Sequence, residues 1–135
     1  MYSQTTHQIE VKVGSRFLPE HSSEDDQSYT WVYEISITNQ SDKLVQLLNR
    51  HWIITDLNGH VEEVKGPGVV GLQPIINPGE TFSYSSFCVL HTQNGSMKGA
   101  YEMQDLARNK FQVAIPEFLL LQDGPGVKID PRLLH

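Results

Sequence analysis

Apolar and polar residues alternate with a period of two along most of this chain, and no other feature constrains its fold as tightly. Ile9, Val11 and Val13 alternate with Gln8, Glu10 and Lys12. Tyr29, Trp31, Tyr33, Ile35 and Ile37 alternate with a mostly polar set at Thr30, Glu34, Ser36 and Thr38. Phe82, Tyr84, Cys88 and Leu90 share one parity, as do Met97, Tyr101 and Met103, and Phe111, Val113 and Ile115 repeat the pattern ahead of Pro116, Phe118 and Leu120. Successive strand residues point to opposite faces, so each run offers one face to a core and the other to water. Leu44 to Thr55 is nearly continuously apolar and reads as a long central strand or a short helix, with Trp52-Ile53-Ile54-Thr55 favouring strand.

Turn signals separate the runs. Asn58-Gly59 suits a type I′ hairpin joining Trp52–Asp56 to His60–Val64. Pro78-Gly79 fits a type II turn, and Asn94-Gly95 is a second hairpin candidate. About seven short strands with no helix-period segment predict an all-β fold, an antiparallel two-sheet sandwich. Gly14 to Ser28, with Glu20, Glu24, Asp25 and Asp26, reads as a solvated loop. The chain's 135 residues fit one domain, placed at residues 1–123, with 124–135 read as a frayed tail.

Charge and cysteine content narrow the function classes. Ten basic against sixteen acidic residues leave a net charge of −6, which disfavours nucleic acid as a partner because phosphate contacts need clustered Lys and Arg. The single cysteine, Cys88, makes neither an internal disulfide nor a cysteine-based zinc site. No apolar run follows basic residues at the N-terminus, and none has the length of a membrane span. The expected setting is the cytoplasm, with no membrane partner.

Candidate chemistry is sparse. Gly66-Pro67-Gly68-Val69-Val70-Gly71 spells G-x-G-x-x-G, but the dinucleotide motif needs a helix opening on it. Gln73-Pro74 and Asn77-Pro78 follow instead, and a residue before proline is pushed out of the helical region. What survives is a glycine-rich loop whose amides could form an anion nest. The six histidines form no H-x-H or H-E-x-x-H pair, and His51, Asp56 and His60 make no tidy cluster across the proposed hairpin. Glu62 and Glu63, as strand neighbours, point to opposite faces. Cys88 sits in an apolar parity and reads as a buried, inert thiol. Gly95-Ser96 is not the G-x-S-x-G of a nucleophile elbow.

Taken together, Leu47-Leu48-Asn49-Arg50-His51-Trp52-Ile53-Ile54-Thr55-Asp56, Gly59, Glu63-Val64, Gly66-x-Gly-Val-Val-Gly71, Gln73-Pro74 and Pro78-Gly79-Glu80 resemble the ApaG domain. The likeness continues through Phe82-x-Tyr84-x-Ser86, Leu90, Gly95-x-Met97-x-Gly99-x-Tyr101-x-Met103 and Phe111-x-Val113-x-Ile115-Pro116, covering residues 5–122. One departure is Phe87, where the family more often carries glycine. The resemblance implies a fibronectin type III-like sandwich. It also implies the family's associations: gene neighbourhood with a diadenosine tetraphosphate hydrolase, a genetic link to cobalt and magnesium efflux, and related domains in an F-box substrate adaptor and a DNA polymerase delta-interacting protein. These are adaptor settings, and the resemblance carries over no catalytic residues.

The expected function is therefore a non-catalytic protein-binding module with no cofactor. Its contact surface is expected at Arg50, Trp52, Gly66, Gly68, Val69, Val70, Gly71, Gln73 and Pro74, because Val69 and Val70 lie in a loop that is hard to cover and Arg and Trp dominate interface energetics. The first alternative is an anion or (di)nucleotide-polyphosphate site at the Gly66–Gly71 loop. The second is binding of divalent Co²⁺ or Mg²⁺, with no metal ligands assigned.

Overall fold

Each alternating run named above is a strand whose apolar face is turned inward. The computed structural model describes residues 2–122, so the expected tail at 124–135 lies outside the described residues. One sheet has the order β1 (Tyr2–Thr6), β2 (Ile9–Phe17), β3 (Tyr29–Asn39), β7 (Thr81–Leu90). The other has the order β5 (Val61–Pro67), β4 (Val45–Asp56), β8 (Gly95–Asp105), β9 (Lys110–Leu120), with the short β6 (Ile75–Ile76) beside the start of β4. All pairings are antiparallel. Three strands, β2-β3-β7, facing four, β5-β4-β8-β9, are the fibronectin type III arrangement, with β1 added at an edge.

Register puts like with like. Val11 lies opposite Ile37, and Ile37 opposite Phe82, so one inward row crosses three strands. Trp31, Tyr101, Phe118, Ile35, Leu47 and Met97 are fully buried between the sheets. Tyr33, Trp52 and Phe118 form an aromatic triangle with ring centroids 5.4 to 6.0 Å apart, in the edge-on and tilted geometries aromatic quadrupoles prefer.

Several expectations are corrected. The described residues form nine strands rather than about seven. Polar β1 carries no apolar alternation and exists because it pairs with β2 through a His7-Gln8 turn, whose residues both have positive φ (50° and 63°). β2 continues to Phe17, so the irregular segment starts after it and holds a 3₁₀ turn at Pro19–His21; the extra strand residues are paired with Trp31–Glu34. Leu44–Thr55 is resolved in favour of strand.

Asn58-Gly59 is not a type I′ turn, since only Gly59 has positive φ (82°). Asp56 is the reason: its carboxylate accepts the amides of Asn58 and His60, both at 2.9 Å, and stabilises a three-residue loop. Gly59 N–H then donates to Asp56 C=O at 3.1 Å, and Thr55 pairs with Val61. Asn94-Gly95 makes no hairpin either, because β7 and β8 belong to different sheets and the segment crosses between them. Pro78-Gly79 does form the expected turn: Gly79 has φ 82°, and Glu80 N–H donates to Asn77 C=O at 2.9 Å.

The sandwich has two lateral seams. On one, β9 packs against β1 and β2, Ser15 Oγ donates to Leu119 C=O at 2.9 Å, and Trp31 Nε1 donates to Leu121 C=O at 2.8 Å. On the other, the edge strands β7 and β5 stay apart and leave a groove.

Candidate functional site

The groove is shaped by an irregularity in β4. Leu47 pairs with Met103 and Asn49 with Glu102, which leaves Leu48 as an extra, bulged residue. Before the bulge, odd positions Val45 and Leu47 point into the core. Beyond it, the even positions Arg50, Trp52 and Ile54 face the interior and line the open seam. A regular strand would have carried Arg50 to the solvent face, and re-aiming a side chain is what bulges do.

The glycine-rich loop clamps this bulge. Leu48 C=O accepts Gly68 N–H at 2.8 Å and Gln73 Nε2 at 2.9 Å, and Leu47 N–H donates to Pro74 C=O at 3.0 Å. Arg50 Nη1 donates to Pro67 C=O at 2.9 Å and Gly68 C=O at 3.1 Å. The guanidinium lies so close to the backbone that a Cβ on Gly66 would come within 2.9 Å of Nη1. Gly68 has φ 61°, and a Cβ there would run into Leu72 C=O. Val69 and Leu72 exchange both backbone hydrogen bonds, at 2.8 and 2.9 Å, around Val70 (φ 43°) and Gly71 (φ 82°). Two central residues with positive φ define the type I′ turn that was expected at Asn58-Gly59.

Two neighbouring recesses, about 210 and 270 Å³, flank Arg50, and both are lined by Tyr33, Trp52 and Ser86. The first adds Val69, Val70, Gly71 and Tyr84; the second adds Cys88, Ile54, Val64 and, at its lip, Glu62. Tyr84 and Tyr101 share a hydroxyl–hydroxyl hydrogen bond of 2.5 Å. Burial pushes the Tyr84 and Tyr101 hydroxyls far above their ordinary range; it raises Tyr33 too, against opposing pulls from the Ser86 hydroxyl and Arg50. All three are therefore protonated at neutral pH. Burial also pushes the Cys88 thiol up to about 12, with Glu62 adding to the rise, so it is the inert thiol expected.

Arg50, Gly66, Gly68, Val69, Val70, Gly71, Gln73 and Pro74 are thus brought together around one bulge. With Val69, Trp52 is a correction in this set. It is only 3% exposed and packs in the aromatic triangle, because the bulge that turns Arg50 inward turns Trp52 inward as well. Val69, 1% exposed, folds into the core, while Val70, 55% exposed, points out. The sequence reading missed Tyr33, Tyr84, Ser86 and Tyr101. Their signal was tyrosine and serine at inward parities, where each hydroxyl needs a partner.

The amides of Gly68, Val69 and Leu72 are engaged with backbone carbonyls, and the loop leads to β6 rather than to the helix N-terminus on which the dinucleotide motif rests. Among the described residues no three His, Cys, Asp or Glu side chains converge as a metal site would require. A larger depression of about 500 Å³ lies by Asn49, His51, Lys65 and Glu102. Arg50 lines it too; there Asn49 Nδ2 donates to Glu102 at 2.7 Å, and His51 meets Glu63 at 3.4 Å. The smaller seam differs in gathering Arg50 with the hydroxyl side chains of Tyr33, Tyr84 and Ser86.

Fold and site together define a fibronectin type III-like sandwich with a loop-braced lateral groove. A family model described as the ApaG domain (DUF525) matches residues 19–105. Protein ApaG of Beijerinckia indica is 51% identical over 125 residues, 93% of this chain and 95% of the relative. Protein ApaG of Paramagnetospirillum magneticum is 50% identical over 133 residues, 98% of this chain and 99% of the relative. A crystal structure described as an ApaA protein from Bordetella pertussis superposes with a TM-score of 0.82 at 44% identity, covering 87% of this chain and 95% of that one. The chain belongs to the ApaG domain family. The family description and these relatives' names specify no catalytic activity. Among the described residues no helix is long and apolar enough to cross a membrane.

Proposed function

We propose that this chain is a non-catalytic protein-binding module of the cytoplasm whose contact surface is the Gly66–Pro74 loop, held from beneath by Arg50. The observation that carries the reading is Val70. It is a β-branched residue at φ 43° with its side chain 55% exposed. Such a conformation costs about 1–3 kcal/mol and persists only where surrounding structure enforces it. Here the enforcement is visible in the Val69–Leu72 exchange, the Gly68–Leu48 bond and the Arg50 clamp. The result is a rigid apolar knob, with Leu72 and Ile75 also exposed nearby in sequence. Preorganised apolar groups on a braced loop suit protein recognition, because little ordering entropy is lost on contact.

The same reading accommodates the family's genetic link to cobalt and magnesium efflux, since an adaptor can influence an efflux system without touching the ion. The non-catalytic part is supported by the buried, protonated Cys88. The test is affinity capture from native cytosol with the parent chain and with Val70→Asp, Leu72→Asp. The expected outcome is loss of the specifically captured proteins at an unchanged melting temperature. Identical capture by both would sink the reading.

A further inference from the structure

We infer that the open seam is a binding pocket for a carboxylate, received by the Arg50 guanidinium and the hydroxyls of Tyr33, Tyr84 and Ser86. Three observations converge. First, among the described residues Arg50 has no carboxylate within ion-pair distance; the ion pairs present are Lys12–Glu10 and His51–Glu63. Its Nη1 is committed to Pro67 and Gly68 carbonyls, which fixes the guanidinium plane and leaves its remaining N–H groups as donors without a charged acceptor. An inward-turned cation satisfied only by neutral carbonyls is a strong attractor for an anion.

Second, the groups around it are hydroxyls rather than bases. Tyr101 is fully buried, and its hydrogen-bond partner is Tyr84. When Tyr101 donates to Tyr84, the Tyr84 O–H is free to point into the recess and donate a hydrogen bond to an anion there. Tyr33 and Ser86 face one another across β3 and β7 and line both recesses.

Third, size and charge choose the ligand. Recesses of about 210 and 270 Å³, walled by Trp52, Val69, Ile54 and Val64, admit a small group with an apolar body. One guanidinium offsets one negative charge; Glu62 at the lip and a net charge of −6 oppose a polyphosphate. A monoanionic carboxylate fits these terms. It can belong to a free small acid or to an acidic side chain of a bound protein, and the chemistry of capture is the same.

Backbone-amide NMR titrations of the full chain test this with three probes: benzoate as a free acid, N-acetylglutamate α-amide as a peptide-borne carboxylate, and ATP. Expected are saturable shifts at Val69, Val70, Gly71 and Ser86 with benzoate or the glutamate amide. Tighter binding of one identifies the source as a free acid or a protein side chain. Arg50→Gln abolishes the shifts; Ser86→Ala, which removes one donor without disturbing the loop clamp, weakens binding several-fold at an unchanged melting temperature. The inference is overturned by shifts that fail to saturate, by shifts spread over Lys12, Lys43 and Lys98, by ATP binding more tightly than either carboxylate, or by Ser86→Ala binding as tightly as the parent.

Discussion

The two lateral seams of this sandwich are built from the same kind of strand and end up chemically opposite. Where β9 meets β1 and β2, each buried polar group has a partner within the chain: Ser15 with Leu119, Trp31 with Leu121, and Thr6 Oγ1 with the Ala114 amide at 3.3 Å. Where β7 faces β5, the strands stand apart, and an arginine and three hydroxyl side chains line the gap. The difference teaches how one sandwich closes one of its edges with internal hydrogen bonds and leaves the other open. A closed seam satisfies its hydrogen bonds internally, and an open one leaves polar side chains facing the gap.

The largest expected effect tests the closed side. Trp31→Ala removes a fully buried indole and its hydrogen bond, and urea denaturation should show a loss of about 3–5 kcal/mol. A loss below about 1 kcal/mol would mean the closed seam is not where stability resides.

Next, the glycine loop separates steric from conformational demand. Gly68→Ala places a methyl group against Leu72 C=O at φ 61° and should cost about 2 kcal/mol or more. Gly71→Ala, at φ 82° but facing open space, should cost only about 1 kcal/mol. Gly66→Ala crowds only the end of the Arg50 side chain, which can shift at the cost of its bonds to Pro67 and Gly68 without straining the backbone, so its melting temperature should fall least of the three. Three variants melting alike would contradict the clamp described above.

Alkaline pH probes the open seam through Cys88. Its thiol is raised from 9.0 to about 12, so the unfolded chain ionises first and binds fewer protons than the native one above pH 9. Stability contributed by this group is fully present below pH 9 and falls as pH rises toward 12. Between pH 9 and 10 the parent should lose about 1 kcal/mol more than Cys88→Val, measured by denaturant titration at each pH. Equal slopes would mean that water reaches the thiol.

The smallest contrast pairs two serines. Ser15→Ala breaks the 2.9 Å bond to Leu119 and should cost about 1 kcal/mol, whereas Ser86→Ala in the open groove should stay within about 0.5 kcal/mol of the parent. Thermal melts decide it, and a larger loss at Ser86 than at Ser15 would reverse the assignment of the two seams.

The period-two rows from Ile9 to Val13, Tyr29 to Ile37 and Phe111 to Ile115 determined the all-β sandwich by themselves, because which face a strand residue occupies is a local property of extended backbone. Pro78-Gly79 likewise announced its turn through its own φ preferences. The sequence also brought the loop residues and Arg50 to notice, but it had no means of showing that Trp52 is buried while Arg50 lines a groove beside it. That depended on Leu48, an unremarkable leucine that bulges only because β4 pairs with β8 on one side and its carbonyl meets Gly68 and Gln73 on the other. The type I′ turn at Val70-Gly71, against the residue preferences of such turns, is held by the same long-range contacts. A period can be read along one strand; a bulge, an open seam and the direction of a cation depend on partners distant in the chain, and only the assembled sheets brought those partners together.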